Sequence, residues 1–254
     1  MKKGQMVCPY LKTRGRQFDS ANGHNLKLKL IRLKKNIKNY IRSKQAAKNA
    51  PGLIRRDYES GKLIEKVIIE NSLFNILDIG TWNGLGSTKT LIEVLQENFE
   101  NYSLVSIETD KIFHKQALKN LKHLLNPSTQ LLLGRIIEID ELPKSRNIDF
   151  EAAGLIPDNV EWLIQDIRRY KKVNNVFDKL PTKFDFILFD GGEFSNYSEF
   201  LKLYKRTKYF ALDDTNTYKQ YEVIKYIENH FKEFQLEYSL ETFSIYKVVN
   251  TTKD

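Results

Sequence analysis

Acidic residues stand at several places where a buried strand is expected to end. They lie within or directly after apolar runs and are Asp78, Glu108, Asp190, Asp213 and Asp214. The carboxyl ends of parallel strands meet along one edge of a sheet, where ligands of open α/β sheets bind, so we expect these acids to share one crevice. Carboxylates gathered in one crevice repel each other unless a positive group lies among them. The spacing therefore predicts a site for a cation, either a divalent metal or a positively charged ligand.

A glycine-rich turn follows the first of these strands. Residues 75–90 read NILDIGTWNGLGSTKT, an apolar run followed by Gly80, Gly84 and Gly86 and then by Ser87, which can cap a helix. Glycine lets the chain turn sharply and lets a ligand lie against the backbone. The helix that follows offers free N–H groups to that ligand. Strand, turn and helix together are typical of the first unit of a nucleotide-binding α/β fold.

The glycine spacing separates two cofactor classes. Dinucleotide-binding turns read G-x-G-x-x-G, whereas this turn reads G-x-x-x-G-x-G, with Asp78 two residues before Gly80. This arrangement resembles motif I of the class I S-adenosylmethionine (AdoMet) methyltransferases. The resemblance implies that the turn holds the amino-acid end of AdoMet, with Asp78 near its ammonium group. The alternative is that Asp78 only orders the turn and the glycines only pack.

The end of the second predicted strand offers a ribose site. In nucleotide-binding α/β folds an acid at this place accepts hydrogen bonds from the ribose hydroxyls, and Glu108 occupies it, with Asp110 close by. The cofactor-binding residues predicted from motif I and the neighbouring strand ends are Asp78, Gly80, Thr81, Asn83, Gly84, Ser87, Glu108 and Asp190.

The acids at the fourth and fifth strand ends resemble the metal site of divalent-cation-dependent O-methyltransferases. That group includes the catechol and caffeoyl-CoA type and the macrolide-sugar and cephalosporin-cluster type. Carried over, Asp190, Asp213 and Asp214 would hold Mg²⁺ or another divalent cation. The metal would lower the pKa of an acceptor hydroxyl and orient it for methyl transfer. The alternative is that Asp190 binds only the cofactor and that Asp213 and Asp214 start a turn.

The general base departs from that pattern. Where these enzymes place a Lys or His, three residues after the first metal ligand, this chain has Glu193. We predict Asp190 and Glu193 as the catalytic residues, since acidic neighbours can raise the pKa of Glu193 into the range of a base. Glu193 could instead be a metal ligand or a loop residue, and Lys219 could replace it as the base. The histidines of predicted helices, expected at the surface, are His114, His123 and His230.

Apolar periodicity predicts the elements that position these residues. The predicted strands are 75–79, Tyr102–Glu108, Thr129–Ile137, Phe184–Asp190, Tyr209–Asp214 and two within Leu236–Val249. The predicted helices are Asp57–Glu70, one after Ser87, Lys111–Leu125, Trp162–Leu180 and Glu222–Phe234, with a long loop over residues 138–160. The predicted fold is α/β: a Rossmann-like class I methyltransferase fold, with a mostly parallel seven-stranded sheet and a terminal antiparallel hairpin.

Charge divides the chain into a basic extension, residues 1–56, and a methyltransferase domain, residues 57–254. The extension carries sixteen Lys and Arg and one acid, a net charge of +15, whereas the rest of the chain carries −6. Within it, Leu26–Ile41 predicts a basic amphipathic helix. This helix could pack on the domain, pair with a second copy in a homodimer, or bind a nucleic acid or an anionic membrane surface.

Cysteine content and hydropathy limit the setting. The single cysteine, Cys8, excludes an internal disulfide framework, and the sequence shows neither a membrane-spanning apolar run nor a signal peptide, so we expect a cytoplasmic protein. The leading hypothesis is an O-methyltransferase that acts on a hydroxylated small molecule, such as a sugar or sugar-bearing intermediate, before catechol-like compounds. The alternatives are a methyltransferase for RNA or another polyanion and a non-catalytic AdoMet-fold scaffold.

Overall fold

The structure is a computed structural model that describes residues 50–143 and 157–249, with the backbone alone described over residues 157–162. The predicted helix Leu26–Ile41 and most of the basic extension lie outside the described residues, as do Cys8 and residues 144–156 of the predicted long loop. In the part of the chain that is described, no helix is both long and apolar enough to span a membrane.

Helices and strands alternate along most of the chain. The helices are α1 Glu59–Glu70, α2 Ser87–Asn98, α3 Lys111–Asn120, α4 Pro157–Tyr170, α5 Asn196–Leu203 and α6 Tyr218–Asn229. The strands are β1 Asn75–Ile79, β2 Ser103–Glu108, β3 Thr129–Leu133, β4 Phe184–Phe189, β5 Thr207–Asp213, β6 Phe234–Ser239 and β7 Phe243–Val248.

The strands form one seven-stranded sheet in the order β3-β2-β1-β4-β5-β7-β6. The first five strands run parallel, and β7 pairs antiparallel with both β5 and β6. The predicted Rossmann-like sheet with its terminal antiparallel hairpin is therefore confirmed. The strand order reverses between β1 and β4, which opens a crevice at their carboxyl ends, where such sheets bind ligands.

The sheet is buried on both faces. Successive strand residues point to opposite sides, so Ile76 and Leu188 belong to one apolar cluster, while Leu77 and Ile187 belong to the other. All six residues of β4 are buried. Helices on both faces explain why the central strands read as continuous apolar runs in the sequence.

Helix bounds differ from the prediction in several places, including α3, which ends at Asn120 instead of Leu125. Helix α4 spans Pro157–Tyr170 instead of Trp162–Leu180, because proline is tolerated in the first turn of a helix and the chain turns back after Tyr170. Helix α6 starts at Tyr218, four residues before the predicted Glu222. The short helix α5, Asn196–Leu203, was not predicted.

Candidate functional site

The glycine turn after β1 lies in the crevice between β1 and β4. Gly80 has a φ of +108°, a left-handed conformation that favours glycine, and a Cβ there would lie 2.1 Å from the carbonyl oxygen of Asp190. Gly84 has a φ of +82°, and a Cβ on it would meet the Leu121 side chain at 2.7 Å. Gly80 therefore fits the end of β4, whereas Gly84 allows close packing against α3.

Asp78 lies beneath this turn and does not line the adjoining cavity. Its carboxylate is fully buried and accepts hydrogen bonds from the hydroxyls of Ser87 at 3.2 Å, Thr88 at 2.6 Å and Ser106 at 2.8 Å. Burial raises the pKa of Asp78 to about 6, although the three hydroxyls oppose this. These contacts are those of a residue that orders the turn, which was the alternative interpretation. They give no support to the expected contact with the AdoMet ammonium.

Other residues predicted to bind the cofactor also lie behind the turn. Thr81 is buried, with its hydroxyl 2.5 Å from that of Ser106. Asn83 is buried and binds the Leu85 N–H and the Ala50 carbonyl oxygen through its side chain. None of the predicted residues Asp78, Thr81, Asn83, Gly84 and Ser87 lines the cavity. They shape the turn, and their contact with a cofactor stays a prediction.

A cavity of about 470 Å³ opens at the carboxyl ends of β1, β2, β4 and β5. Three predicted cofactor residues line it, namely Gly80, Glu108 and Asp190. Its acidic lining residues are Glu108, Asp110, Asp166, Asp190, Glu199, Asp213 and Asp214, against two arginines, Arg135 and Arg169. The volume lies in the range of small-molecule sites, and the excess of carboxyl groups favours a ligand with positive charge.

Glu108 has the geometry expected of a ribose acceptor. Its two carboxylate oxygens accept the backbone N–H groups of Trp82 and Asp110, both at 2.6 Å. These bonds fix the carboxyl group at the end of β2, and each oxygen keeps a further lone pair. Burial raises the pKa of Glu108 to about 7, with the two N–H donors opposing the shift.

Two further acidic residues of the same cavity, Asp166 and Glu199, were not predicted. Glu199 on α5 is buried and accepts the Tyr170 hydroxyl at 2.7 Å through Oε1, while Oε2 has no hydrogen-bond partner among the described residues. Burial raises the pKa of Glu199 to about 7. Asp166 lies one helical turn before Tyr170 and also lines the cavity. The spacing of Asp166 and Tyr170 was the only signal in the sequence, and the missed helix α5 hid Glu199.

Aromatic and backbone groups complete the cavity wall. Trp82 lines it, with its ring 5.9 Å from that of Phe113. Residues 51–53, which belong to the predicted extension, also line it. The adjoining backbone is tied down, because the Asn83 amide donates to the Ala50 carbonyl at 2.6 Å and Gly52 packs against Gly86. The segment between extension and domain is therefore part of the site.

The three acids predicted to bind metal do come together. Asp190, Asp213 and Asp214 each offer an oxygen within 4.8 Å of the others. Burial raises the pKa of Asp190, and burial together with the charges of Asp190 and Asp214 raises that of Asp213 to about 8, although Lys219 opposes both shifts. Asp214 has a φ of +57°, and its carbonyl oxygen accepts from Thr217, which caps α6.

A lysine already lies among these acids. Lys219, in the first turn of α6, donates from Nζ to Asp190 Oδ1 at 2.8 Å and to Asp214 Oδ2 at 2.7 Å. Its side chain is only 8% exposed, and the acids raise its pKa although burial opposes them. The positive group that the acids require is thus supplied by the chain itself. With Lys219 in this position, the three carboxylates do not fit a divalent metal.

A second cavity of about 260 Å³ adjoins Lys219 and contains the predicted base Glu193. Aromatic rings line it as well, with those of Phe194 and Tyr218 5.2 Å apart. Burial raises the pKa of Glu193, which is the direction a general base needs. Lys219 lines this cavity and bonds to acids that line the first one, so it stands between the two. The described histidines line neither cavity.

Comparisons by sequence found no match to a family model and none to a curated protein. Among solved structures, the chain is similar to a candidate caffeoyl-CoA O-methyltransferase from Staphylococcus aureus, with a TM-score of 0.53, 14% identity, and coverage of 88% of this chain and 99% of that one. An O-methyltransferase from Bacillus cereus in complex with SAH matches with a TM-score of 0.49 and 14% identity, over 85% and 91% of the two chains. An rRNA methylase from Streptococcus thermophilus matches with a TM-score of 0.45 and 11% identity, over 78% and 99%.

At these identities the likeness concerns the fold, and only the first match has a TM-score above 0.5. That match covers 88% of this chain, including the sheet with its terminal antiparallel hairpin, and it concerns the fold as a whole. The resemblance drawn from the sequence is confirmed at this level: the protein has the Rossmann-like fold of the class I AdoMet-dependent methyltransferases.

Proposed function

We propose that the protein is an AdoMet-dependent methyltransferase. The observation that carries this proposal is Glu108, whose carboxyl group is fixed by two backbone N–H groups in the wall of an acid-rich cavity. Its remaining lone pairs can accept the two ribose hydroxyls. The excess of carboxyl groups around the cavity suits a cofactor that carries both an ammonium and a sulfonium group.

We further propose that the methyl group goes to a hydroxyl of a small molecule held in the second cavity. AdoMet supplies a methyl group that its sulfonium already activates, so the protein has mainly to bind, orient and exclude water. Glu193 lines the second cavity, and in this proposal its carboxylate takes the hydroxyl proton. The new O–C bond forms as the S–C bond breaks, and the proton passes to the carboxylate.

The lining of the second cavity supports a hydroxylated ring as the acceptor, a sugar or sugar-bearing intermediate before a catechol. Aromatic side chains offer flat apolar faces, and carboxylate oxygens accept hydrogen bonds from hydroxyls. The cavity provides both, through Tyr197, Tyr218, Glu193 and Glu222. Assistance by Mg²⁺, which the sequence predicted, would require that Lys219 leave the acids, and methyl transfer from a sulfonium does not depend on it.

The first test is calorimetric titration of AdoMet into the full-length protein and into Glu108→Ala. We expect binding that weakens by at least about tenfold in the variant, because the ribose loses its acceptor and the turn loses two hydrogen bonds. Glu100→Ala is the matched control, since Glu100 is exposed and lies before β2. Wild-type protein that binds no AdoMet would overturn the proposal.

The second test measures methyl transfer from radiolabelled AdoMet to a panel of sugars, nucleotide sugars and catechols, with Glu193→Gln beside the wild type. We expect turnover on a polyol that falls in Glu193→Gln while AdoMet affinity stays the same. AdoMet binding without turnover on any acceptor, RNA included, would favour the non-catalytic scaffold.

The charge of residues 1–56 favours a polyanion as a second candidate acceptor. A net charge of +15 on this segment, against −6 on the rest, would tether RNA electrostatically. The test is binding of an RNA oligonucleotide at increasing salt, by the wild type and by a variant with Lys34, Lys35 and Lys38 changed to Gln. Binding that weakens steeply with salt, and less steeply in the variant, would favour this candidate. Binding to anionic vesicles instead would point to a membrane surface.

A further inference from the structure

The acidic cluster at the ends of β4 and β5 contains its own cation. Asp190, Asp213 and Asp214 bring three carboxyl oxygens within 4.8 Å of each other, and the ammonium group of Lys219 bonds to two of them. We propose that Lys219 takes the place of a divalent metal in this protein, so that the site binds no metal and its methyl transfer is metal-independent. The statement about methyl transfer rests on the proposed function, whereas the statement that the site binds no metal does not.

A divalent ion and the ammonium group of Lys219 cannot both lie among the three carboxylates. A divalent ion bound by these carboxylates would stand within a few ångströms of the ammonium group, and like charges at that distance repel strongly in a buried site. Lys219 itself is 92% shielded, since 8% of its side chain is exposed, so it is not a surface lysine that swings freely into water. The metal would have to displace a buried, doubly bonded cation.

The surrounding chain fixes Lys219 in this place. Thr217 caps α6 and accepts the Lys219 N–H at 3.3 Å, which sets the first turn of the helix. The next residue, Gln220, is fully buried and donates from Nε2 to the carbonyl oxygens of Phe189 at 3.1 Å and Asp213 at 2.9 Å. The turn that carries Lys219 is therefore attached to the ends of β4 and β5, the same two strands that carry the acids.

The position of Lys219 also lets it do part of what a metal would do. An ammonium group has three donors, and two of them bond to Asp190 and Asp214. Because Lys219 also lines the second cavity, its third N–H can donate to the oxygen of an acceptor hydroxyl. A cationic donor at that oxygen stabilises the negative charge that develops as the proton leaves for Glu193. Lys219 would thus contact the acceptor directly.

The test is titration of Mn²⁺ into the full-length protein, followed by electron paramagnetic resonance of the free ion, with no acceptor present. We expect no stoichiometric binding by the wild type. Lys219→Met, which removes the ammonium group and keeps a side chain of similar length, should bind Mn²⁺ at least about tenfold more tightly than the wild type. Adding Asp213→Asn to Lys219→Met should abolish that gain.

Stoichiometric Mn²⁺ binding by the wild type that is lost in Asp213→Asn would overturn the proposal, as would a Lys219→Met protein that binds no better than the wild type. The wild-type titration tests whether the site binds a metal even if Lys219→Met does not fold. Lys219→Arg keeps a cation at this position, so it should not bind Mn²⁺ either. Turnover, once an acceptor is found, should be unchanged by EDTA. AdoMet titration of the wild type is read separately, so failure of the proposed function is distinguishable from failure of this inference.

Discussion

Gly80 and Asp190 meet so closely that a Cβ on Gly80 would lie 2.1 Å from the Asp190 carbonyl oxygen. The two residues follow β1 and β4, the neighbouring strands at which the strand order reverses. The Asp190 N–H also donates to the Ile79 carbonyl oxygen at 3.0 Å. The glycine turn and the acidic cluster are therefore in direct contact. The backbone at the turn fixes Asp190, which is one of the two acids that Lys219 binds.

Gly80→Ala should both destabilise the protein and remove AdoMet binding. The substitution adds a clash with backbone that cannot move without shifting β4, and it forces alanine into a φ of +108°. We expect a loss of about 2–4 kcal/mol in the free energy of unfolding. Chemical denaturation measures the loss, and calorimetry measures the binding.

Gly86→Ala is the comparison for that variant. A Cβ on Gly86 would lie 3.0 Å from the Gly52 Cα, compared with 2.1 Å to the nearest atom at Gly80, and the φ of Gly86 is −106° instead of left-handed. We expect a smaller loss of stability than in Gly80→Ala. Equal losses in the two variants would contradict the close fit that we assign to Gly80.

Trp82 should report ligand binding through its fluorescence. The protein has two tryptophans, Trp82 and Trp162, and Trp82 lines the main cavity beside Phe113. Because its surroundings change when the cavity is filled, we expect AdoMet to change the emission of the wild type. Trp82→Phe should lose most of that change while calorimetry still detects binding, and Trp162→Phe should keep it. A signal that survives in Trp82→Phe would place the ligand elsewhere.

The sheet could be predicted because its central strands are buried on both faces. Continuous apolar runs marked β1, β2 and β4 nearly to the residue. The end of helix α4 could not be predicted in the same way. Beyond Tyr170 the chain turns back so that the Val176 N–H bonds to the Arg135 carbonyl oxygen at 2.8 Å, a contact between residues far apart in sequence. The apolar periodicity within a segment does not indicate such a contact.

The acids of the candidate site were predicted from the sequence, but the lysine that binds them was not. Asp190, Asp213 and Asp214 followed from the strand ends, and they do come together. Lys219 was considered only as a substitute base, because the predicted helix began at Glu222. The observed helix begins at Tyr218, which puts Lys219 in its first turn, facing the acids. An error of one helical turn was thus enough to hide the ion pair.

Glu199 should make the protein less stable as the pH rises. Burial raises its pKa from 4.5 to about 7, so the folded state keeps a proton that the unfolded state has lost. The contribution of Glu199 to stability therefore falls between about pH 4.5 and pH 7, by roughly 1 kcal/mol per pH unit at most. Urea denaturation at pH 5 and pH 8 should show a smaller pH effect in Glu199→Gln than in the wild type.

The matched control for this variant is Glu228→Gln, which removes an exposed carboxylate from α6. It should keep the pH dependence of the wild type. If Glu199→Gln also keeps it, the carboxyl group of Glu199 does not hold a proton in the folded state at neutral pH.

AdoMet should bind more tightly at high pH, because its ribose hydroxyls need an ionised acceptor. Burial raises the pKa of Glu108 to about 7 in the ligand-free protein, so near neutral pH this carboxyl group must lose a proton before it can accept both hydroxyls. Linkage then predicts a dissociation constant about tenfold higher at pH 6 than at pH 8, together with release of a proton on binding. Calorimetry in two buffers of different ionisation enthalpy measures that proton directly.

Glu108→Gln should bind weakly and lose the pH dependence, and Glu100→Gln should match the wild type. Affinity that is constant from pH 6 to pH 8 in the wild type would mean that Glu108 is ionised before the ligand arrives, or that the ribose lies elsewhere in the cavity.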